Sequence, residues 1–327
     1  FRIGLAFIRK TLDAVATAQA LSDVAEVVLG AVLRIAERDL VVAHGHLDGY
    51  IESSGLAIVA YGSFGGAELG LGSDLDLVFL YDGDHASGES DGARPLEGPR
   101  YYARLAQRVV HLLGMPTRAG RLYEVDVRLR PDGSQGTLVL SMAAFESYQR
   151  ERAWTWERQA LVRARAVAGD VALTRRFVLL RSALLGAVPA ADVRIEIVSM
   201  RARWRAERDR SDDVYFDLKQ GAGGLVDIEF LLQGLVLSYA ARHPALLASG
   251  NSAALIAAVA AAGLLDADHA GALAQAHQAL LAYAIGCTLD GRPRVMRRND
   301  DLERHAQAVL AAARSVDLPL ETAQAGI

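Results

Sequence analysis

Apolar positions recur at helical spacing early in the chain, where Leu21, Val24, Val28, Val32 and Ile35 are interleaved with charged residues. That stripe predicts one or two amphipathic helices over residues 11–47. At residue 56 the period changes. Residues 56–61 form a short apolar run closed by Gly62, and residues 75–81 form a second run of large apolar side chains, so both predict buried strands. Gly, Ser, Asp and Pro dominate residues 83–99, the composition of a surface loop. Helical spacing returns over residues 101–113, residues 122–129 predict a third strand, and Pro131-Asp132-Gly133 predicts the turn after it. Beyond about residue 141 every periodic segment reads as helical, as far as Ala313. Strand signals confined to the front half predict an α+β fold rather than an alternating, wound one. The expected domains are a helical segment at 1–47, a core with a small mixed sheet at 48–150 and an all-helical domain at 151–327.

Composition narrows the class. The chain has 327 residues, 52% hydrophobic and 23% charged, which suits about two globular domains and excludes disordered, collagen-like and disulfide-scaffold proteins. The longest uncharged apolar stretch, 253–265, is shorter than the roughly 20 residues that a bilayer span needs, so neither a transmembrane helix nor a membrane partner is expected. A single cysteine, Cys287, allows no internal disulfide, and no leader precedes the first charges, which points to a reducing cytoplasm. Phe1 is not an initiator Met, so the chain is expected to be a piece of a longer one. A net charge of −4 supplies no basic footprint for nucleic acid, which is not expected as a partner. Lysine occurs only at Lys10 and Lys219, all other basic side chains being arginine. The compact ammonium of Lys219 is therefore a candidate for reaching a phosphate or pairing with an acidic site residue.

The segment joining the first two strands carries the chemistry. Gly62-Ser63 at a strand end leaves backbone N–H groups and a hydroxyl free to approach a phosphate. Asp74 and Asp76, spaced by two at the start of the next strand, point to one face and can hold Mg²⁺ together with substrate phosphates. Alternation along the third strand would put Asp126, Arg128 and Arg130 on one polar face and Val125, Val127 and Leu129 on the other. If that strand lies beside the Asp74/Asp76 strand, three carboxylates converge where the phosphates and metals of a nucleotide would sit.

Taken in order, the strand, Gly-Ser turn, Asp-x-Asp strand, helix and further Asp resemble the nucleotidyltransferase superfamily typified by DNA polymerase β. More narrowly, the stretches YGSFGGAELGLGSDLDLVFL (61–80), VDVRLRPDG (125–133), AWTWERQALVRAR (153–165) and GGLVDIEF (223–230) resemble bacterial glutamine synthetase adenylyltransferases over most of the chain. Where members of that family often carry Lys, this chain has Ser63. The resemblance implies a polymerase β-like core followed by a helical domain, with Asp74, Asp76 and Asp126 as Mg²⁺ ligands. Asp126 would also lie near the attacking oxygen and help deprotonate it. The implied activity is transfer of AMP from ATP to a tyrosine of glutamine synthetase, with pyrophosphate leaving. Enzymes of this family carry a second, related half that removes AMP by phosphorolysis, and that activity is the first alternative. A non-catalytic nucleotide-binding regulatory module is the second, and the intact aspartates speak against it. Residues 68–74, 79–82 and 153–156 look more like the AMP-adding half. The PII signal protein and glutamine are implied as effectors of the full-length enzyme, with no residue assigned to either.

The helical half offers further candidates. Trp154 and Trp156 bracket a helix start and read as core packing, with nucleotide stacking as the alternative. Arg163 and Arg165 read as solvated or salt-bridged from their surroundings alone, and the resemblance adds phosphate contact. Arg194, Arg201, Arg203, Arg205, Arg208 and Arg210 read mainly as a solvated helix face. Asp227 and Glu229, after a glycine-rich turn, face either an active site or a structural helix start. The scattered histidines lack a zinc pattern and read as structural.

Overall fold

The computed structural model describes residues 1–47, 55–83, 86–118, 120–131, 133–187 and 190–321. Its elements run α1 (Arg2–Ile8), α2 (Ala14–His44), β1 (Leu56–Ala60), α3 (Gly62–Gly65), β2 (Leu75–Tyr81), α4 (Gly98–Gly114), β3 (Val125–Asp126), β4 (Val139–Ser141), α5 (Met142–Glu151), α6 (Thr155–Val162), β5 (Arg165–Gly169) and α7 (Val171–Gly186). They continue with α8 (Ala190–Arg208), β6 (Tyr215–Asp217), α9 (Leu225–Tyr239), α10 (Ser252–Ala261), α11 (Ala267–Leu289), β7 (Val295–Arg297) and α12 (Asp300–Ser315). Two compact units result, one of residues 22–184 and one of residues 1–21 with 185–327.

The unit of residues 22–184 is built on a mixed sheet. β1 is antiparallel to both β2 and β5, with Ile58 opposite Phe79 and Ala57 opposite Gly169. All of β1 is buried, and β2 is buried except at Asp76 and Tyr81, as expected where both faces of a central strand pair are covered. β3 and β4 are short pieces that pair in parallel with β2, Asp126 opposite Asp76 and Leu140 opposite Leu80. α4 turns Tyr101, Tyr102, Leu105, Ala106, Val109 and Leu113 inward at helical spacing. Tyr102 stacks on Tyr81 of β2 with ring centroids 4.6 Å apart. Against the expectation of no such helix, α2 is long and apolar enough, by length and composition, to cross a membrane, because its few charges are spread among apolar residues. Its inner positions Ala25, Leu29, Val32, Leu33, Ala36 and Leu40 are buried. Its polar positions make specific contacts too: Glu26 pairs with Arg165, and Ser22 Oγ accepts the Leu69 N–H.

Two expectations fail here for identifiable reasons. Residues beyond 141 include strands, of which β5 completes the sheet. Its Ala- and Gly-rich sequence has little β propensity of its own, and its backbone is extended because β1 offers an edge to pair with. The third strand is only β3, not residues 122–129. The Asp126 carboxylate accepts the backbone N–H of Arg128 at 2.8 Å, and that local bond turns the chain out of the ladder. Arg128 and Arg130 therefore do not share a strand face with Asp126. Asp132 of the anticipated turn and residues 84–85 of the anticipated loop lie outside the described residues, as do residues 48–54.

In the other unit α9 is buried on nearly every side and packs against α8, α10, α11 and α12. Asn251, Asp266 and Asn299 cap the N-termini of α10, α11 and α12 through their side chains. β6 and β7 pair antiparallel, Phe216 opposite Met296. The arginines of α8 are not simply a solvated face. Arg201 and Asp227 have no exposed side-chain surface and are paired at 2.5 Å, while Arg205 reaches the other Asp227 oxygen at 2.7 Å. Asp227 also accepts the Gly223 N–H at 2.7 Å, so this carboxylate holds the glycine turn to α8 and α9. Its environment is that of a structural helix start.

Candidate active site

The site is assembled where β1 ends and β2 begins. The Tyr61 N–H donates to the Asp76 carbonyl at 2.9 Å, which draws the ends of the two strands together. Gly62 then takes φ +55°, and a Cβ on it would stand 2.2 Å from Asp76 Oδ2. Only glycine permits that backbone conformation with a carboxylate so close. Ser63 follows in the short helix α3, half-buried. On the other side of β2 the Leu75 N–H donates to Glu124 O at 2.8 Å and brings in β3. Parallel register then sets Asp126 beside Asp76.

Asp74, Asp76 and Asp126 each offer a carboxylate oxygen, and these atoms lie within 4.8 Å of one another. Asp74 is exposed and the other two are half-buried. Three hard oxygen donors this close fit a cation such as Mg²⁺ or Mn²⁺, and they do not fit a soft metal. Arg128 is paired with Asp126 and is 77% exposed, so the cation partner of the cluster faces solvent. Its hydrogen bonds hold the Asp126 carboxyl below the usual carboxylate range, against the opposing effect of partial burial. The three aspartates are thus gathered as the sequence anticipated.

The arginines are placed differently. Arg130 is turned back on its own loop, donating to Val127 O at 2.5 Å and Gly136 O at 3.2 Å. Arg163, 4% exposed, pairs with the 7% exposed Glu68 at 2.6 Å and donates to Gly62 O at 3.1 Å. Arg165 pairs with Glu26 at 2.5 Å and donates to Gly65 O at 3.3 Å. Lys219 belongs to the other unit, where its side chain is exposed and its N–H donates to Asp217 Oδ1 at 2.9 Å. Trp154 and Trp156 are 69% and 37% exposed, which overturns the core-packing reading. Trp154 stands at the exposed start of α6, where its N–H donates to Glu157 at 2.9 Å. Glu68 is the residue that sequence reasoning passed over. Its one signal was an acidic side chain inside an otherwise apolar, glycine-rich stretch.

The sequence model of the glutamate-ammonia ligase adenylyltransferase family matches residues 1–179. That of GlnD PII-uridylyltransferase matches residues 197–315. A bifunctional glutamine synthetase adenylyltransferase/adenylyl-removing enzyme of Stenotrophomonas maltophilia is 50% identical over 98% of this chain and 34% of its own length. Its namesake in Xanthomonas campestris pv. campestris is 52% identical over 96% of this chain and 33% of its own length. One in Pseudomonas syringae pv. tomato is 42% identical over 86% of this chain and 30% of its own length. The chain thus spans about a third of the length of these relatives. The family model matches more than half of the chain and relatives are about 50% identical along nearly all of it, and the chain belongs to the glutamate-ammonia ligase adenylyltransferase family.

Proposed function

We propose that the chain transfers AMP from ATP to a tyrosine of glutamine synthetase, releasing pyrophosphate. The observation that carries this reading is the convergence of Asp74, Asp76 and Asp126 beside the Gly62-Ser63 turn. The named activity of the relatives supplies the substrate class. Asp74, Asp76 and Asp126 would hold Mg²⁺, which supplies positive charge to the reacting phosphate when bound. The chain's own groups do the rest. The backbone around Gly62 and the Ser63 hydroxyl receive the triphosphate, and the exposed Arg128 exchanges its carboxylate partner for phosphate oxygens. Asp126, ionised at neutral pH, takes the tyrosine proton as the tyrosine oxygen attacks the α-phosphorus and the bond to pyrophosphate breaks. In the whole protein, glutamine synthetase is the partner, the PII signal protein and glutamine are the effectors, and the cytoplasm is the compartment.

The aspartates serve either direction of transfer, because both attack the same phosphorus. The test supplies unmodified glutamine synthetase, Mg²⁺ and ATP labelled in the α-phosphate, and in parallel the adenylylated enzyme with inorganic phosphate. Label on tyrosine is the expected result. ADP released only from the adenylylated enzyme overturns addition in favour of removal.

A further inference from the structure

Arg163 contacts the site from the far side of the sheet's first turn. α6 ends at Val162, and its last carbonyls are taken by the buried Arg181 of α7, which donates to Leu161 O at 3.0 Å and Val162 O at 2.5 Å. This fixed helix end delivers Arg163 into the loop after β1. There its guanidinium joins Glu68 at 2.6 Å and the Gly62 carbonyl at 3.1 Å. The loop wraps the guanidinium closely, for a Cβ on Gly66 would stand 2.4 Å from Arg163 Nη2. On its opposite side Gly62 abuts the Asp76 carboxylate. Glu68, Arg163, Gly62 and Asp76 therefore form one continuous line of contact from a buried ion pair to a carboxylate of the site.

We propose that the Glu68–Arg163 pair clamps the Gly62 turn against Asp76, so that Arg163 is a positioning residue for cation binding and not a phosphate ligand; this rests on the reading of the aspartates as a cation site. A buried guanidinium already engaged by a carboxylate and a carbonyl is poorly placed to take a phosphate. Its bidentate shape suits two fixed acceptors, and a lysine ammonium has no planar fork with which to span them. The carboxylate that it steadies is one of three that must hold their relative positions before a cation arrives.

The test uses the intact chain in three forms: unaltered, Arg163→Lys and Gly66→Ala. Lysine keeps the charge beside Glu68 and loses the fork. Gly66 has ordinary helical torsions, φ −73° and ψ 0°, so alanine suits the backbone there, and the atoms nearest its Cβ are those of the Arg163 guanidinium. Mn²⁺ titration followed by the electron paramagnetic signal of the free ion reads the cation site without any turnover. Amide exchange at Gly65 and Gly66, whose N–H groups donate to Tyr61 O and Gly62 O, reads the loop. Both variants are expected to fold, to bind Mn²⁺ about tenfold more weakly, and to exchange those amides faster. A purely structural role would lower the unfolding midpoint and leave the Mn²⁺ affinity of the folded protein unchanged. That result in both variants, with unchanged exchange, overturns the clamp; if Arg163→Lys does not fold, Gly66→Ala decides alone. An unaltered chain that binds no Mn²⁺ overturns the cation site itself, and amide exchange then decides whether the clamp holds the loop.

Discussion

Asp126 and Asp227 are both carboxylates that pair with arginine and accept a backbone N–H, yet they differ in their access to water. Asp126 keeps 15% of its side chain exposed and its partner Arg128 keeps 77%, whereas Asp227 and Arg201 have none and Arg205 keeps 15%. A pair open to water loses little when its partner leaves, because solvent takes over each charge. A buried pair has no such substitute. A carboxylate that must exchange its partner for a cation or a proton therefore has to sit in the first kind of environment. One that holds a turn and two helices together can sit in the second. The two units thus hold the same kind of ion pair in opposite surroundings, one reached by water and one closed to it.

Applying the same isosteric change at both places breaks the comparison most directly. Asp227→Asn removes the carboxylate that the buried Arg201 and the partly buried Arg205 share, and it is expected to cost about 3–5 kcal/mol of stability, seen as a lower midpoint in urea unfolding followed by the fluorescence of Trp204, which packs on Phe230 of α9. A midpoint equal to that of the unaltered chain would show that the buried pair contributes nothing net. Asp126→Asn should do the reverse. Transfer slows by about 100-fold to 10,000-fold, the range of a lost proton acceptor, while unfolding and ATP affinity change little. Equal losses in ATP binding and turnover would make Asp126 a plain ligand. Asp76→Asn should abolish cation-dependent transfer with the fold intact, and unchanged rates at limiting Mg²⁺ would contradict a cation site at the aspartates. The smallest effect is expected from Arg128→Gln, which removes a solvent-exposed partner. The unfolding midpoint should stay where it is, Mn²⁺ affinity should rise because a competing cation is gone, and the KM for ATP should rise as well. Weaker Mn²⁺ binding would mean that Arg128 supports the site instead of competing for it.

What could be read in advance follows from how local each signal is. β1, β2 and the Gly-Ser and Asp-x-Asp spacing are contiguous patterns, and the convergence of Asp126 on Asp76 required only that the third strand pair with the second. β5 was not legible because Arg165-Ala-Val-Ala-Gly169 becomes a strand only through pairing with β1, more than a hundred residues earlier. The burial of Arg201 was hidden for a similar reason. On its own helix it is one of several arginines, and only Asp227 on the next helix distinguishes it. Arg163 stands out in the sequence, but its partner Glu68 lies ninety-five residues away, and no periodicity links the two.

β3 and β4 both pair in parallel with β2, at Asp76 and at Leu80. The connection between them, which includes Arg128 and Arg130, therefore leaves and returns to the strand that carries Asp76. Such a handle, fastened at both ends to one rigid rail, can change in length or sequence without transmitting strain to the rail. A change of length in that connection would therefore be absorbed between two fixed points of β2, leaving the pairing of Asp126 with Asp76 in place.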